Sequence, residues 1–301
     1  MVEALDWHLA SGDANAAFTL ASALVPFWIW SARIPDGDAW FERALPAAGA
    51  TPAIRARALY DHGYLVFWSG RYDLARERFA ESLAGAEALD DVQLQGLALA
   101  GLARVALDTD PHEAVRLLRR ALKATAGLPD SEPSRSSALH VLGVALQLSG
   151  ELEQAREVIG TRLEAGRASG DEFIVWVESG NLSTVERKLG NLQRAEELSR
   201  EALRIVAARG DEMPIAWILN GLAAVTAATG GAERAAALLG LAAATLERAG
   251  GEWPPDEREI YEDTEASLAA VLSPEALAAA RERGAAFSTP DGLAYAFEAV
   301  R

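Results

Sequence analysis

One phrase returns along this chain at intervals of forty residues, and that period constrains the fold more than any other feature. Gly70, Gly150, Gly190 and Gly230 stand 80, 40 and 40 residues apart, and the missing rung falls at Asp110, in DTDPHEA. The phrases that follow are GRYDLARERFAESL, DPHEAVRLLRRAL, GELEQAREVIGTRL, GNLQRAEELSREAL and GGAERAAALLGLAA. Self-similarity at a fixed period marks repeat architectures and overrides the prior of about two domains for a chain of 301 residues.

Within each repeat the residue types dictate two antiparallel helices. A common alanine stands at 75, 114, 155, 195 and 235, and twelve residues before it come Gly63, Leu102, Gly143, Ser183 and Ala223. Four of those five upstream residues are small, and with the alanine they let the helix backbones approach at a crossing, while Phe79, Leu118, Ile159, Ser199 and Leu239, one turn later, fill the space beside it. The glycine at each rung predicts a left-handed residue ending the first helix. Between repeats, GDE at 170–172 and again at 210–212 predicts an aspartate N-cap with a glutamate in the first turn. A hairpin alone buries one face, so neighbours must stack into a solenoid. No stretch alternates with period two for long, and no strand is expected.

Composition removes several function classes. The 28 basic and 44 acidic residues leave a charge of −16, which repels a phosphate backbone, so direct nucleic-acid binding is not expected. RLLRRALK, residues 116–123, reads as a solvated helix face and not as a nucleic-acid contact. Without cysteine there is no disulfide or thiolate chemistry. The opening residues MVEALDWHLASGD lack the basic start and apolar stretch of a signal peptide, and no apolar run approaches the roughly 20 residues of a membrane span. A cytoplasmic chain with no membrane contact is the expectation.

The spacing of small residue, glycine seven later, alanine five after that, large apolar residue four on and a closing AL resembles the tetratricopeptide repeat (TPR). The units are near 40 residues in place of 34, and His62 and Gly101 occupy a position that is usually leucine. Lengthened helices of this kind resemble the repeat domains of bacterial STAND ATPases and of LuxR-type (MalT-like) transcriptional regulators. Residues 3–45 are similar to the segment that leads into those repeats, and residues 230–284 to their closing segment. The resemblance implies an all-α right-handed solenoid of about six hairpins over residues 1–253. Capping helices over 254–301 are then expected to start near Pro255, Ser273 and Thr289-Pro290. The phosphate loop GxxxxGK[ST] does not occur, so ATP hydrolysis is not expected of these residues. Both a piece of a larger regulator and a standalone repeat module fit that pattern.

Catalytic chemistry finds little purchase. His8, His62, His112 and His140 have no second ligand at metal spacing. The acidic pairs Asp90-Asp91, Asp171-Glu172 and Asp211-Glu212 sit where helix caps explain them. No metal, cofactor or catalytic residue is expected. What remains is a surface, because the resemblance places one face of each first helix on a concave groove. Counting from the small residues puts Arg57, Tyr60, Tyr64, Phe67 and Trp68 there, with Ser137, His140 and Gln147, Thr184, Arg187 and Lys188, and Trp217 and Asn220. Aromatic rings with a few polar groups suit a peptide, protein or small-molecule effector. The expected function is a non-catalytic sensor or protein-interaction module of a transcriptional or signalling regulator. Its rivals are a scaffold that binds an extended peptide or homodimerises, and an enzyme on a helical frame.

The segment LVPFWIWSARIPDGDAWFERAL, residues 24–45, resembles a metal and aromatic site but falls on the repeat grid. Gly37 takes the common-alanine place and Phe41 the large-residue place, so Trp28 and Trp40 are expected in the core and Trp30 at the groove. Asp36 and Asp38 then point apart and do not form a calcium loop.

Overall fold

The common alanines are core positions. Ala75, Ala114, Ala155, Ala195 and Ala235 are all completely buried. The computed structural model describes residues 2–31 and 33–298, and every regular element among them is a helix. The first are α1 (Val2–Ala10), α2 (Ala14–Trp30), α3 (Ile34–Ala44), α4 (Pro52–Phe67), α5 (Tyr72–Ala88), α6 (Val92–Ala106), α7 (Pro111–Ala124) and α8 (Pro133–Leu148). Then come α9 (Leu152–Ser169), α10 (Glu172–Lys188), α11 (Leu192–Arg209), α12 (Glu212–Ala228), α13 (Ala232–Arg248), α14 (Pro255–Ala269), α15 (Pro274–Ala285) and α16 (Thr289–Phe297). In chain order, α2–α3, α4–α5, α6–α7, α10–α11 and α12–α13 pair as hairpins of a TPR-like α-solenoid. They fall into two compact units, residues 1–145 and 146–301.

In the first unit the aromatic-rich segment is core. Trp28 and Trp40 are both 1% exposed, and Phe18, Trp40, Phe41 and Trp28 make a chain of edge-to-face contacts at 5.6, 5.3 and 6.1 Å. Gly37 stands at the common-alanine place because a methyl group there would lie 2.6 Å from the Trp28 ring. Phe79 explains another departure from the repeat pattern. It is fully buried between Gly63 and Gly101, and a Cβ at Gly101 would lie 2.6 Å from its ring, which leaves no room for leucine. His62 replaces leucine differently: it is buried, stacks on Phe41 at 5.3 Å, and bonds Asp38 through Nε2 at 2.9 Å. Asp38 also receives Arg71. The aspartates of PDGD therefore diverge, Asp36 to Arg33 and Asp38 to the next hairpin.

In the second unit the α10–α11 crossing is polar where the others are apolar. Ser183 donates to the Ala195 carbonyl at 2.7 Å and lies 2.7 Å from the Ser199 hydroxyl, so both buried hydroxyls are satisfied. At the next inward position, alanine or serine elsewhere, Arg162 pairs with the wholly buried Glu178 at 2.8 Å.

The turns match the glycine ladder with two corrections. Gly70, Gly150, Gly190 and Gly230 have φ of 75°, 81°, 84° and 91°, a conformation that glycine adopts without Cβ strain. Asp110 does not take it: with φ at −151° it is an N-cap, accepting Glu113 N at 2.9 Å, so this rung is filled by a cap and not by a left-handed turn. Asp171 caps Phe173 and Ile174 as expected, whereas Asp211 makes no side-chain cap because Arg209 takes its carboxylate at 2.9 Å. Ser273 caps α15, and Ser288, one residue ahead of Thr289, caps α16.

Candidate binding site

The α4 helix carries Arg57, Tyr60, Tyr64 and Trp68 at successive spacings of three, four and four, which sets them along one face. The three rings are half-buried, and Arg57 is exposed at the end of the row. Tyr60 and Tyr64 are near-parallel with centroids 6.2 Å apart, and Trp68 meets Tyr64 edge-on at 6.2 Å. The guanidinium of Arg57 lies 5.5 Å from the Tyr60 centroid, and its Nε donates to both oxygens of Asp61 at 2.9 and 3.0 Å. Asp61 is almost wholly buried, and burial pushes its carboxyl pKa up against the pull of Arg57 and of the Ser22 hydroxyl. Burial also raises the Tyr60 phenol, helped by Tyr64 and opposed by Arg104 of α6. These groups hold Arg57 in place over an aromatic row, the kind of surface that accepts apolar side chains and an anion beside them. Phe67 points inward and is buried.

Trp30 ends α2, and its side chain lies outside the described residues. On α8, His140 is half-buried and Gln147 is buried.

In the second unit, Arg187 and Lys188 of α10 and Asn220 of α12 meet α14, and Trp217 packs on the same core as Tyr261, whereas Thr184 is buried and donates to the Gly180 carbonyl within α10. Asn220 is completely buried, and its Nδ2 donates to the Glu257 carbonyl at 2.9 Å and to Glu257 Oε2 at 2.8 Å. Lys188 pairs with Glu259 at 2.8 Å. Trp217, Trp253 and Tyr261 pack with Leu268 against the α12–α13 core, with Trp253 stacked on Tyr261 at 5.3 Å. Burial lowers the Arg187 pKa, with Asp263 and Glu259 of α14 acting in the other direction. The carboxyl of Glu257 is pushed up to about 8 by burial and by Asp256, against the pull of Asn220. The α14 residues that meet these positions were beyond sequence reasoning. The signal available was the density of acids in DEREIYEDTE, which by itself reads as a solvated helix.

Comparison with known families agrees with the hairpin geometry. Residues 54–127 match one tetratricopeptide-repeat family model, and residues 180–208 match a second. These two stretches are tetratricopeptide repeats. Relatives from Mycobacterium tuberculosis and Mycobacterium bovis, whose names provisionally assign them to HTH-type transcriptional regulators, are 28% identical over 230 residues. The match takes in 69% of this chain but 24% of theirs, so the chain spans about a quarter of the length of these relatives. Among solved structures the fold is similar to a Rap protein complexed with competence and sporulation factor, with a TM-score of 0.60 and 12% identity over 94% of this chain and 99% of that one. It is also similar to NprR in complex with its cognate peptide NprX, with a TM-score of 0.56 and 13% identity over 90% of this chain and 71% of that one. Likeness at these identities establishes the TPR-like helical fold.

Proposed function

We propose that the chain is a non-catalytic binding module of a bacterial transcriptional or signalling regulator, and that a peptide or protein segment engages the aromatic face of α4. The observation that carries this reading is the half-buried row Tyr60, Tyr64 and Trp68 with Arg57 fixed at its end. Rigid rings in a row supply contact area at small entropic cost, and a neighbouring guanidinium orients an acidic or carbonyl group of the ligand. The peptide seen in NprR and the regulator names of the mycobacterial relatives support the class of function. In this reading the chain is the sensing part of a cytoplasmic regulator of the STAND or LuxR type, and regulation passes through partner contacts and not through nucleic acid.

The test is selection of binding peptides from a display library against the full chain, followed by titration against variants. Tyr60→Ala with Tyr64→Ala is expected to weaken selected peptides by roughly thirtyfold, the scale of aromatic hot spots, while the Phe variants retain binding. Equal affinity for wild type and the alanine pair, at an unchanged urea midpoint, refutes the assignment.

A further inference from the structure

Three helices follow the last hairpin and pack against it, and two of them, α14 and α15, are held in different ways. The α15 helix is seated on α13 backbone to backbone: a Cβ at Gly284 would lie 1.8 Å from the Ala237 carbonyl oxygen, and one at Gly240 would lie 2.1 Å from that of Arg281. Among its described side chains the α14 helix buries the row Ile260, Thr264 and Leu268, spaced by four, with Tyr261 and Trp253 half-buried beside it. Its other links to α10 and α12 are polar: Glu257 to Asn220 and Glu259 to Lys188. It is bounded by Gly250-Gly251-Glu252-Trp253-Pro254 and by Ala270-Val271-Leu272-Ser273. The two helices also meet, for Arg281 of α15 pairs with Glu265 and donates to the Tyr261 hydroxyl at 2.6 Å, but the backbone seat of α15 is on α13 alone among these contacts.

The face beneath α14 is incompletely satisfied by it. Nε and Nη2 of Arg187 are buried, and no hydrogen-bond partner for them occurs among the described residues; Oδ1 of Asn220 is in the same position. The carboxylates of Glu259 and Asp263 influence Arg187 without reaching those nitrogens. A buried guanidinium gains most from a carboxylate brought into contact. Seating α14 also withdraws the Glu257 carboxyl from water, a cost that raises its pKa. The α14 segment has six acids, Asp256, Glu257, Glu259, Glu262, Asp263 and Glu265, against the single base Arg258. The receiving face offers Arg187 and Lys188.

We propose that this face of α10 and α12 is a receptor for acidic amphipathic helices, with α14 as its intramolecular occupant, and that a partner protein presenting such a helix binds in α14's place with a carboxylate on Arg187. The residues of this surface all belong to the second unit, and its occupant is a helix.

A fluorescein-labelled peptide of residues 252–272 serves as the probe, titrated by polarisation against the full chain, with hydrogen exchange followed on α14 and on α10–α13. In wild type the covered face weakens the apparent affinity by the fraction uncovered. The release variant Glu259→Lys, Ile260→Asp, Leu268→Asp is expected to expose α14 to exchange, to keep α10–α13 protected, and to bind the peptide at least about tenfold more tightly than wild type. Adding Arg187→Glu should remove that gain, whereas adding Tyr60→Ala and Tyr64→Ala should leave it intact. Loss of protection in α10–α13 together with α14 makes α14 part of the cooperative core and overturns the proposal. So does an α14 that stays protected in the release variant, or an opened α14 with no peptide bound.

Discussion

Substituting Gly284 by alanine tests the backbone seat of α15 directly. A Cβ there would meet three backbone atoms of Ala237, its carbonyl oxygen at 1.8 Å, its carbonyl carbon at 2.6 Å and its Cα at 2.9 Å. Carbon and oxygen settle at about 3.4 Å, so the helices must part by about 1.5 Å at a contact where Ala237 and Ala280 are buried. Overpacking of a tight core costs about 1–3 kcal/mol, and a rigid backbone partner puts this case near the top of that range. Against it stands a gain of about 1 kcal/mol for alanine over glycine inside a helix. The net expectation is a loss of about 2 kcal/mol. Gly160, inside α9 with nothing within 4 Å of where an alanine methyl would stand, supplies the control, because Gly160→Ala carries only the gain. Urea unfolding of both variants, with exchange in α15 alongside, measures the pair. Gly284→Ala as stable as Gly160→Ala would refute the close seat, and with it the contrast between α15 and α14.

Glu178→Ala removes the wholly buried carboxylate that pairs with Arg162 in the second unit and should cost about 3–5 kcal/mol by urea unfolding, far more than a surface ion pair is worth. Glu257 takes up a proton when α14 seats, since its pKa rises from 4.5 to about 8. The linked stability is therefore full below pH 4.5 and falls as the pH rises through 8, so exchange in α14, corrected for its intrinsic rate, should quicken relative to α12 from pH 6 to 8.5, and Glu257→Gln should flatten the trend. His62 has the opposite sign: burial lowers its pKa below 6.5, so stability present above that pH is lost as the pH falls, and His62→Leu should remove this acid-side slope in unfolding midpoints between pH 5 and 7.

Much of the hairpin architecture was legible because its causes are local and repeated. A small residue and an alanine twelve apart, with a large residue one turn on, specify a crossing wherever they occur, and Gly37 could be placed on that grid from Ala75 alone. The grid also moved Trp28 and Trp40 from an apparent site into the core. Departures from the grid were visible, but their reasons were not. His62 answers to Asp38, 24 residues away, and Gly101 to the Phe79 ring, and neither partner follows from a period. Asp110 looked like a substituted turn and is a cap, because an aspartate side chain can bond the next helix's free N–H groups and a glycine cannot.

The candidate site divides the same way. Arg57, Tyr60, Tyr64 and Trp68 share a helix, so their common face follows from helical spacing within the sequence. For Arg187, Trp217 and Asn220 the sequence determined the position on α10 and α12, but what those residues meet was decided only in the tertiary structure. The contacts join Lys188 to Glu259 and Asn220 to Glu257, 71 and 37 residues apart, through a helix outside the repeating pattern. A repeat encodes contacts between neighbours at a fixed separation; the seat of a non-repeating helix depends on charge and shape that converge only once the hairpins have stacked.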